Sequence, residues 1–410
     1  MGYNFRMRRF FSFAFVFALA VCAASAELMT SAKFGYTIDL PEGFAMVDGT
    51  EDESMFQFAS EIVPVQVLIN ASSAPKSAEE FLKSNLKKLG ATLKSGKVDT
   101  VNWRRRKASV ASFTMQNAVF SEMQQGVSAC VPLSDLKSFA NIIVFVPKKS
   151  FYQYECFVSS IIDSIAVDVG SFKEAGLMTE SKYPSNPTDL KSRIPVELSI
   201  AGEKVSTTIG KSDTLANQSV IDREFNVFKV YASSSSPDVF KFAISAWQRF
   251  YRMIARDSLY RMKVPAFDIS SALQESAFEK DSSNPDAALA QILLNWVQEF
   301  EYRRESSDTS KADFNNIPSV LRNLGSDCDS RSMLVAVILK NLGMDSCFFV
   351  SAEFSHSLVG VVLDGKQGQS IEIDGKSYLL GDTTVKNLTF GTIDASQADK
   401  SKWVEVEFPF

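Results

Sequence analysis

The chain has 410 residues, 45% of them hydrophobic, with a formal net charge of −5 and a single histidine. That is ordinary globular material for two or three domains, and its acidic balance argues against nucleic acid and anionic membrane surfaces as partners. Five cysteines are far too few for a disulfide framework in a chain of this length.

Arg6, Arg8 and Arg9 precede an apolar run over residues 10–21, which ends in Ala24-Ser25-Ala26. A positive start, an apolar middle and an A-x-A end make residues 1–26 a secretory signal peptide, too short for a comfortable membrane span. Its removal takes away three arginines and no acid, so the net charge falls to −8. The expectation is an exported protein, periplasmic or extracellular. An uncleaved signal and a lipid anchor on Cys22 are the two routes to a membrane. Val21 stands where bacterial lipoprotein signals usually carry Gly or Ala.

Residues 27–167 read as an α/β sandwich domain. Residues 34–40 alternate as a strand and turn at Pro41-Glu42-Gly43, and residues 65–69 alternate as a second. Ser77-Ala78-Glu79-Glu80 is a capping box. It opens a helix with Phe81, Leu82, Leu86 and Leu89 on one face, ended by Gly90. Strands are expected over 108–115, 127–131 and 141–146, then a helix from about Ser150 carrying Tyr154, Phe157, Ile161, Ile162 and Ile165. Arg104-Arg105-Arg106-Lys107 reads as a solvated strand end in an acidic protein. Cys130 and Cys156 read as small buried hydrophobes, with a bridge between them left open. The phrase from Tyr36 to Phe44 and the closing helix over 159–165 resemble PsbP-like domains, small α/β sandwiches found in exported proteins. No metal spacing, phosphate loop or nucleotide fingerprint occurs here.

Residues 168–193 mix Gly, Lys, Ser, Pro and Asn with little periodicity and read as a linker. Residues 194–235 read as a small β segment, with strands over 194–209 and 225–232. Residues 236–410 form the last domain. A helix from Val239 to about Met262, rich in Phe, Trp, Tyr and Met, reads as core packing, and another runs from Pro285 to Phe300 with Asp286 at its positive end.

The chemistry gathers at Gly325-Ser326-Asp327-Cys328-Asp329-Ser330-Arg331, which opens a strongly apolar helix ending near Leu342, with Gly343 past its end. Asp327 or Ser326 is the expected N-cap, which puts Cys328 in the first turn, where unpaired N–H groups and the helix dipole favour a thiolate. Cys347 opens a core strand. His356 leads an apolar strand over 358–363, and a later strand over 376–380 ends in Gly381-Asp382-Thr383-Thr384. If those two strands pair antiparallel, His356 and Asp382 meet at one sheet edge. A helix N-terminus against that edge completes nucleophile, base and orienter.

Gly325 to Gly343, the His356 strand and the Gly381-Asp382-Thr383-Thr384 end resemble the core of the transglutaminase-like superfamily, a papain-related fold. Residues 296–302 are similar to the helix that precedes the cysteine in many bacterial members. The resemblance implies an α+β fold class: a papain-like, transglutaminase-like C-terminal domain with a helix packed on an antiparallel sheet, preceded by the α/β sandwich and the small β segment. It implies a cysteine enzyme acting on amide bonds of peptide, protein or cell-wall material through a thioester, as hydrolase or transamidase, with no cofactor and no metal. Cys328 would attack, His356 would carry the proton, and Asp382 would fix the imidazole. The oxyanion would sit on the Cys328 N–H and an upstream donor, for which Gln298 is the candidate. Two departures bear on substrate class. Ser357-Leu358 follow the histidine where the family often has an aromatic, and Asp382-Thr383-Thr384 replaces the common Asp-Pro-Thr. Two rival readings are zinc on Cys328, His356 and Asp382, which lacks a paired cysteine or second histidine at ligand spacing, and a non-catalytic exported scaffold.

Overall fold

A computed structural model describes residues 28–116, 120–185, 190–304 and 311–408. The signal region and Cys22 lie outside them. The protein is mixed α+β. No helix among the described residues is long and apolar enough to cross a membrane.

The N-terminal region is an antiparallel eight-stranded sheet between two helices. Its strands run, in spatial order, Phe44–Gly49, Met55–Ser60, Gln66–Ser72, Phe139–Pro147, Gln124–Pro132, Arg106–Met115 and Ala91–Leu93, with Asp99–Trp103 also paired to Arg106–Met115. Phe139–Pro147 is apolar nearly throughout because both faces are covered. Ile142 and Val144 pack with Phe157 and Ile161 of helix Phe151–Asp163, whereas Ile143 and Phe145 pack with Phe81, Leu82 and Leu86 of helix Ala78–Lys88. Ser77 caps the latter helix by accepting from Glu80 N at 3.1 Å. The Glu80 carboxylate accepts from Lys76 N, one residue before the position a full capping box requires.

Several expectations are corrected. Residues 225–232 are not a strand but the end of helix Asp213–Ala232. Phe225, Val227, Val230 and Tyr231 suit a strand locally, yet Ala216, Val220, Ile221, Val227 and Tyr231 are buried at helical spacing, and the longer period wins. The strand reading over 194–209 splits into a hairpin, Arg193–Ile200 and Glu203–Gly210. Residues 168–182 of the expected linker are packed structure: Asp168 and Ser171 form a capping box on Val169–Lys173, and Ala175 O accepts from the Trp103 indole at 2.8 Å. Helix Leu177–Lys182 follows, with Met178 N and Thr179 N both donating to the Asp163 carboxylate. Arg104 and Arg105 form the left-handed turn of a hairpin, with Arg104 ion-paired to Asp168, while Arg106 and Lys107 begin strand Arg106–Met115, the strand end expected. Cys130 and Cys156 are both free thiols, so the bridge left open does not form.

Helix Ala243–Arg261 joins the two halves of the molecule. Arg249 donates to Asp39 O, Ser160 Oγ and Glu224 Oε2, and Arg252 grips the Asp39 carboxylate at 2.8 and 3.1 Å. Arg256 donates to Ile165 O at 2.6 Å. Glu42 lies in this interface with Oε1 buried and unpartnered. Burial, with Asp39 adding to it, outweighs Arg249 and pushes its carboxyl up to about 7. Such a group costs stability as pH rises. Below about pH 4 both states keep the proton; between there and about 7 the unfolded chain ionises first. The loss is on the order of 2–3 kcal/mol. Glu42→Gln is therefore expected to flatten the fall in melting temperature between about pH 4 and 7 while matching the parent below about pH 4.

The C-terminal region is a five-stranded antiparallel sheet in the order Ser370–Ile373, Lys376–Gly381, His356–Val361, Ser346–Ser351, Val404–Val406. Helix Cys328–Asn341 packs on one face and is itself covered by Ala243–Arg261, Lys263–Lys280, Pro285–Gln298 and Ile317–Asn323. Met333 to Leu339 are all buried, which is why the helix reads as apolar on every side. Gly343 follows with φ +88°, the left-handed position expected after its end. Cys347, Phe349, Leu358, Leu380 and Trp403 form a smaller core on the opposite face of the sheet.

Candidate active site

The loop entering the cysteine helix is fixed before the helix begins. Gly325–Ser326 pairs in parallel with Glu301–Tyr302, and a Cβ at Gly325 would stand 3.3 Å from both Glu301 O and Arg303 Nε. Asp327 is the N-cap, accepting from Ser330 N at 2.9 Å, and Cys328 is the first helical residue. Its N–H has no intrahelical acceptor by geometry.

The antiparallel register of the two strands is as expected. Val359 pairs with Gly381 and Val361 with Leu379, so the start of one strand lies beside the end of the other. His356 Nε2 lies 3.1 Å from Asp382 Oδ2. A carboxylate only accepts, so the proton of the neutral ring sits on Nε2 and Nδ1 carries the free lone pair. The other carboxylate oxygen accepts from Thr384 N at 2.8 Å and Thr384 Oγ1 at 2.7 Å. Burial alone would raise Asp382, but the bonds from His356 and Thr384 outweigh it and hold the carboxyl below its usual range. Thr384 was visible in the sequence, and its part as the clamp on Asp382 is the Asx-type turn that an Asp-x-Thr end permits.

Cys328 is buried beside the neighbour of the histidine. Strand alternation turns Ser357 toward the cysteine helix, where its buried hydroxyl faces the Cys328 sulfur. His356 falls on the other side of the pleat, its ring centroid 6.4 Å from that of Trp403. Cys328 Sγ lies 3.4 Å from Asp329 Oδ1, and among the described residues no hydrogen bond joins the sulfur to His356. The structure thus brings His356 and Asp382 into contact and sets Cys328 next to Ser357.

Two expectations about this site are corrected. The thiolate is not favoured at rest: burial first, then the Asp329 and Asp327 carboxylates, push the thiol up to about 12, against a lowering by Ser357. The helix terminus is real, but two acids flank the sulfur. Asp329 accepts from the Tyr251 hydroxyl, and Asp327 is itself pushed above its usual range by burial and by Asp329. Gln298, in turn, has no N–H left for an oxyanion. Its Nε2 donates to Asp382 O at 2.8 Å and Leu388 O at 3.1 Å, while its buried Oε1 has no partner. It holds the backbone that carries Asp382. Asp329→Asn keeps an acceptor for Tyr251 and removes a charge, so alkylation of Cys328 by iodoacetamide at pH 8 is expected to quicken roughly three- to tenfold. An unchanged rate would show that Asp329 does not act on the thiol.

Among the described residues no group of three or more His, Cys, Asp and Glu side chains is placed to hold a metal ion.

No family model matches the chain, and no curated protein does. Among the solved structures similar to it, two each cover about a third of the chain. The solution structure of cyanobacterial PsbP (CyanoP) from Synechocystis sp. PCC 6803 is 12% identical, with a TM-score of 0.30, over 37% of this chain and 96% of its own. The Ran-binding protein Mog1p of Saccharomyces cerevisiae is 11% identical, with a TM-score of 0.27, over 35% of this chain and 96% of its own.

Proposed function

We propose that this chain is an exported, transglutaminase-like cysteine enzyme that acts on amide bonds of peptide, protein or cell-wall material. In this reading Cys328 Sγ attacks the carbonyl carbon and its proton passes to His356 Nδ1. Because the thiol is held protonated at rest, attack and proton transfer are coupled and no preformed ion pair is needed. The Cys328 N–H, free at the helix start, receives the oxyanion. Collapse expels the amine, which takes the proton back from His356, and leaves a thioester on Cys328. Water resolves the thioester to an acid, or a second amine to a new amide. Asp382 keeps the Nε2 proton in place throughout, and Thr384 and Gln298 keep Asp382 in place.

The observation that carries this reading is the 3.1 Å bond between His356 and Asp382, at a sheet edge one residue from the serine beside Cys328. Mass spectrometry after incubation with glutamine-containing peptides and cell-wall peptides tests it. An acyl adduct on Cys328 that hydroxylamine removes is expected; no adduct with any donor would contradict it. A scaffold reading draws support from the two acids flanking Cys328 and from the missing Cys328–His356 bond, and on that reading no adduct forms.

A further inference from the structure

Arg331 lies one turn into the cysteine helix and is completely buried. Among the described residues no carboxylate stands within ion-pair distance of it, and its hydrogen bonds all end on backbone carbonyls. Nε donates to Ser326 O at 3.2 Å, Nη1 to Thr383 O at 3.4 Å and Nη2 to Phe300 O at 2.9 Å, while the guanidinium carbon sits 5.6 Å from the Tyr302 ring centroid. Burying an unpaired cation is costly, whereas an apolar side chain of the same length would pack there at little cost.

The three carbonyls explain what the cation does there. Ser326 is two residues before Cys328, Thr383 is next to Asp382, and Phe300 ends the segment whose Gln298 holds Asp382 O from the other side. Ser332 and Thr383 make a further link between helix and strand end, with their hydroxyls 3.1 Å apart. Asp327, Tyr302, Cys328 and Asp382 are the groups whose charges bear on the guanidinium.

We infer that Arg331 is a positioning residue: it fastens the Asp382 strand end to the start of the cysteine helix and supplies the positive field against which the Cys328 sulfur ionises. The inference rests on the catalytic reading for its purpose, but its test does not depend on turnover.

The test follows iodoacetamide alkylation of Cys328 in the full chain against pH, with thermal melting alongside. In Arg331→Met the ionisation midpoint is expected to rise by about one pH unit, so that alkylation at a fixed lower pH slows about tenfold. Arg331→Lys, which keeps the charge but not the three-way fork, is expected to hold the midpoint near the parent while melting lower. If Arg331→Met does not fold, Arg331→Gln makes the same neutral comparison. Equal loss of melting temperature in all variants with an unmoved midpoint would overturn the inference and leave Arg331 a purely structural tie. His356→Ala run in parallel separates the two failures. A profile insensitive to His356 sinks the catalytic pairing but leaves the Arg331 comparison readable.

Discussion

Arg249→Met should destabilise the protein by about 3–5 kcal/mol, more than any surface substitution. The guanidinium is buried and spends its donors on Asp39 O at 2.8 Å, Ser160 Oγ at 2.9 Å and Glu224 Oε2 at 3.0 Å. Methionine fills much of the volume but leaves Glu224 paired only to Arg223, and strips Asp39 of one of its two arginines. The cost comes from leaving buried acids short of a partner, not from the pair having been strongly stabilising. Chemical denaturation measures it. The control is Lys33→Met, whose pair with Asp52 is 51% and 60% exposed and should leave the denaturation midpoint unchanged. Similar values for the two variants would show that the helix Ala243–Arg261 does not lock the two halves together through charge.

The second large effect falls on activity. On the proposed mechanism, Cys328→Ser and His356→Ala should each lower kcat/KM for an amide substrate by a factor on the order of 10⁴ to 10⁶, and the double variant should lose little more, because the two would act in one step. Asp382→Asn should cost on the order of 10² to 10⁴. The amide can donate to Nε2 instead of accepting from it, which moves the ring proton to Nδ1, the nitrogen that must receive the thiol proton. Melting temperatures of the three variants should stay within a few degrees of the parent. Residual activity above about one tenth in either single variant would place the chemistry elsewhere.

Much of this fold was legible because local patterns agreed with tertiary burial. A cap at Asp327 or Ser326, the cysteine helix and its Gly343 end follow from residue type alone, as do the strands around Cys347 and His356, and the structure decides for Asp327. The pairing of His356 with Asp382 followed from one antiparallel register. What misled was short-range composition. Residues 225–232 carry strand-like aromatics and valines, and only the longer burial period shows the helix. Residues 168–193 are polar and proline-bearing, yet Trp103, Arg104 and Asp163 bond to them from distant positions that sequence spacing does not reveal. The thiol was misjudged for another reason: Asp327 and Asp329 flank Cys328 in the chain, but its burial, the largest cause, shows only in the fold. A helix start raises thiolate stability by a local field, whereas Asp327, Asp329 and burial act through space and reverse it. Arg331 and Gln298 follow suit: their carbonyl partners lie up to 52 and 90 residues away.

The proposed reaction requires that the Cys328 proton pass to His356 during attack. The rate of Cys328 alkylation against pH, measured in the parent and in His356→Ala, reads that pairing without any substrate. The expected result is a parent profile with a low-pH limb that vanishes in His356→Ala, leaving only the slow rise of a buried thiol. Superimposable profiles would contradict the account, and would leave the imidazole bound to Asp382 with no sulfur to serve.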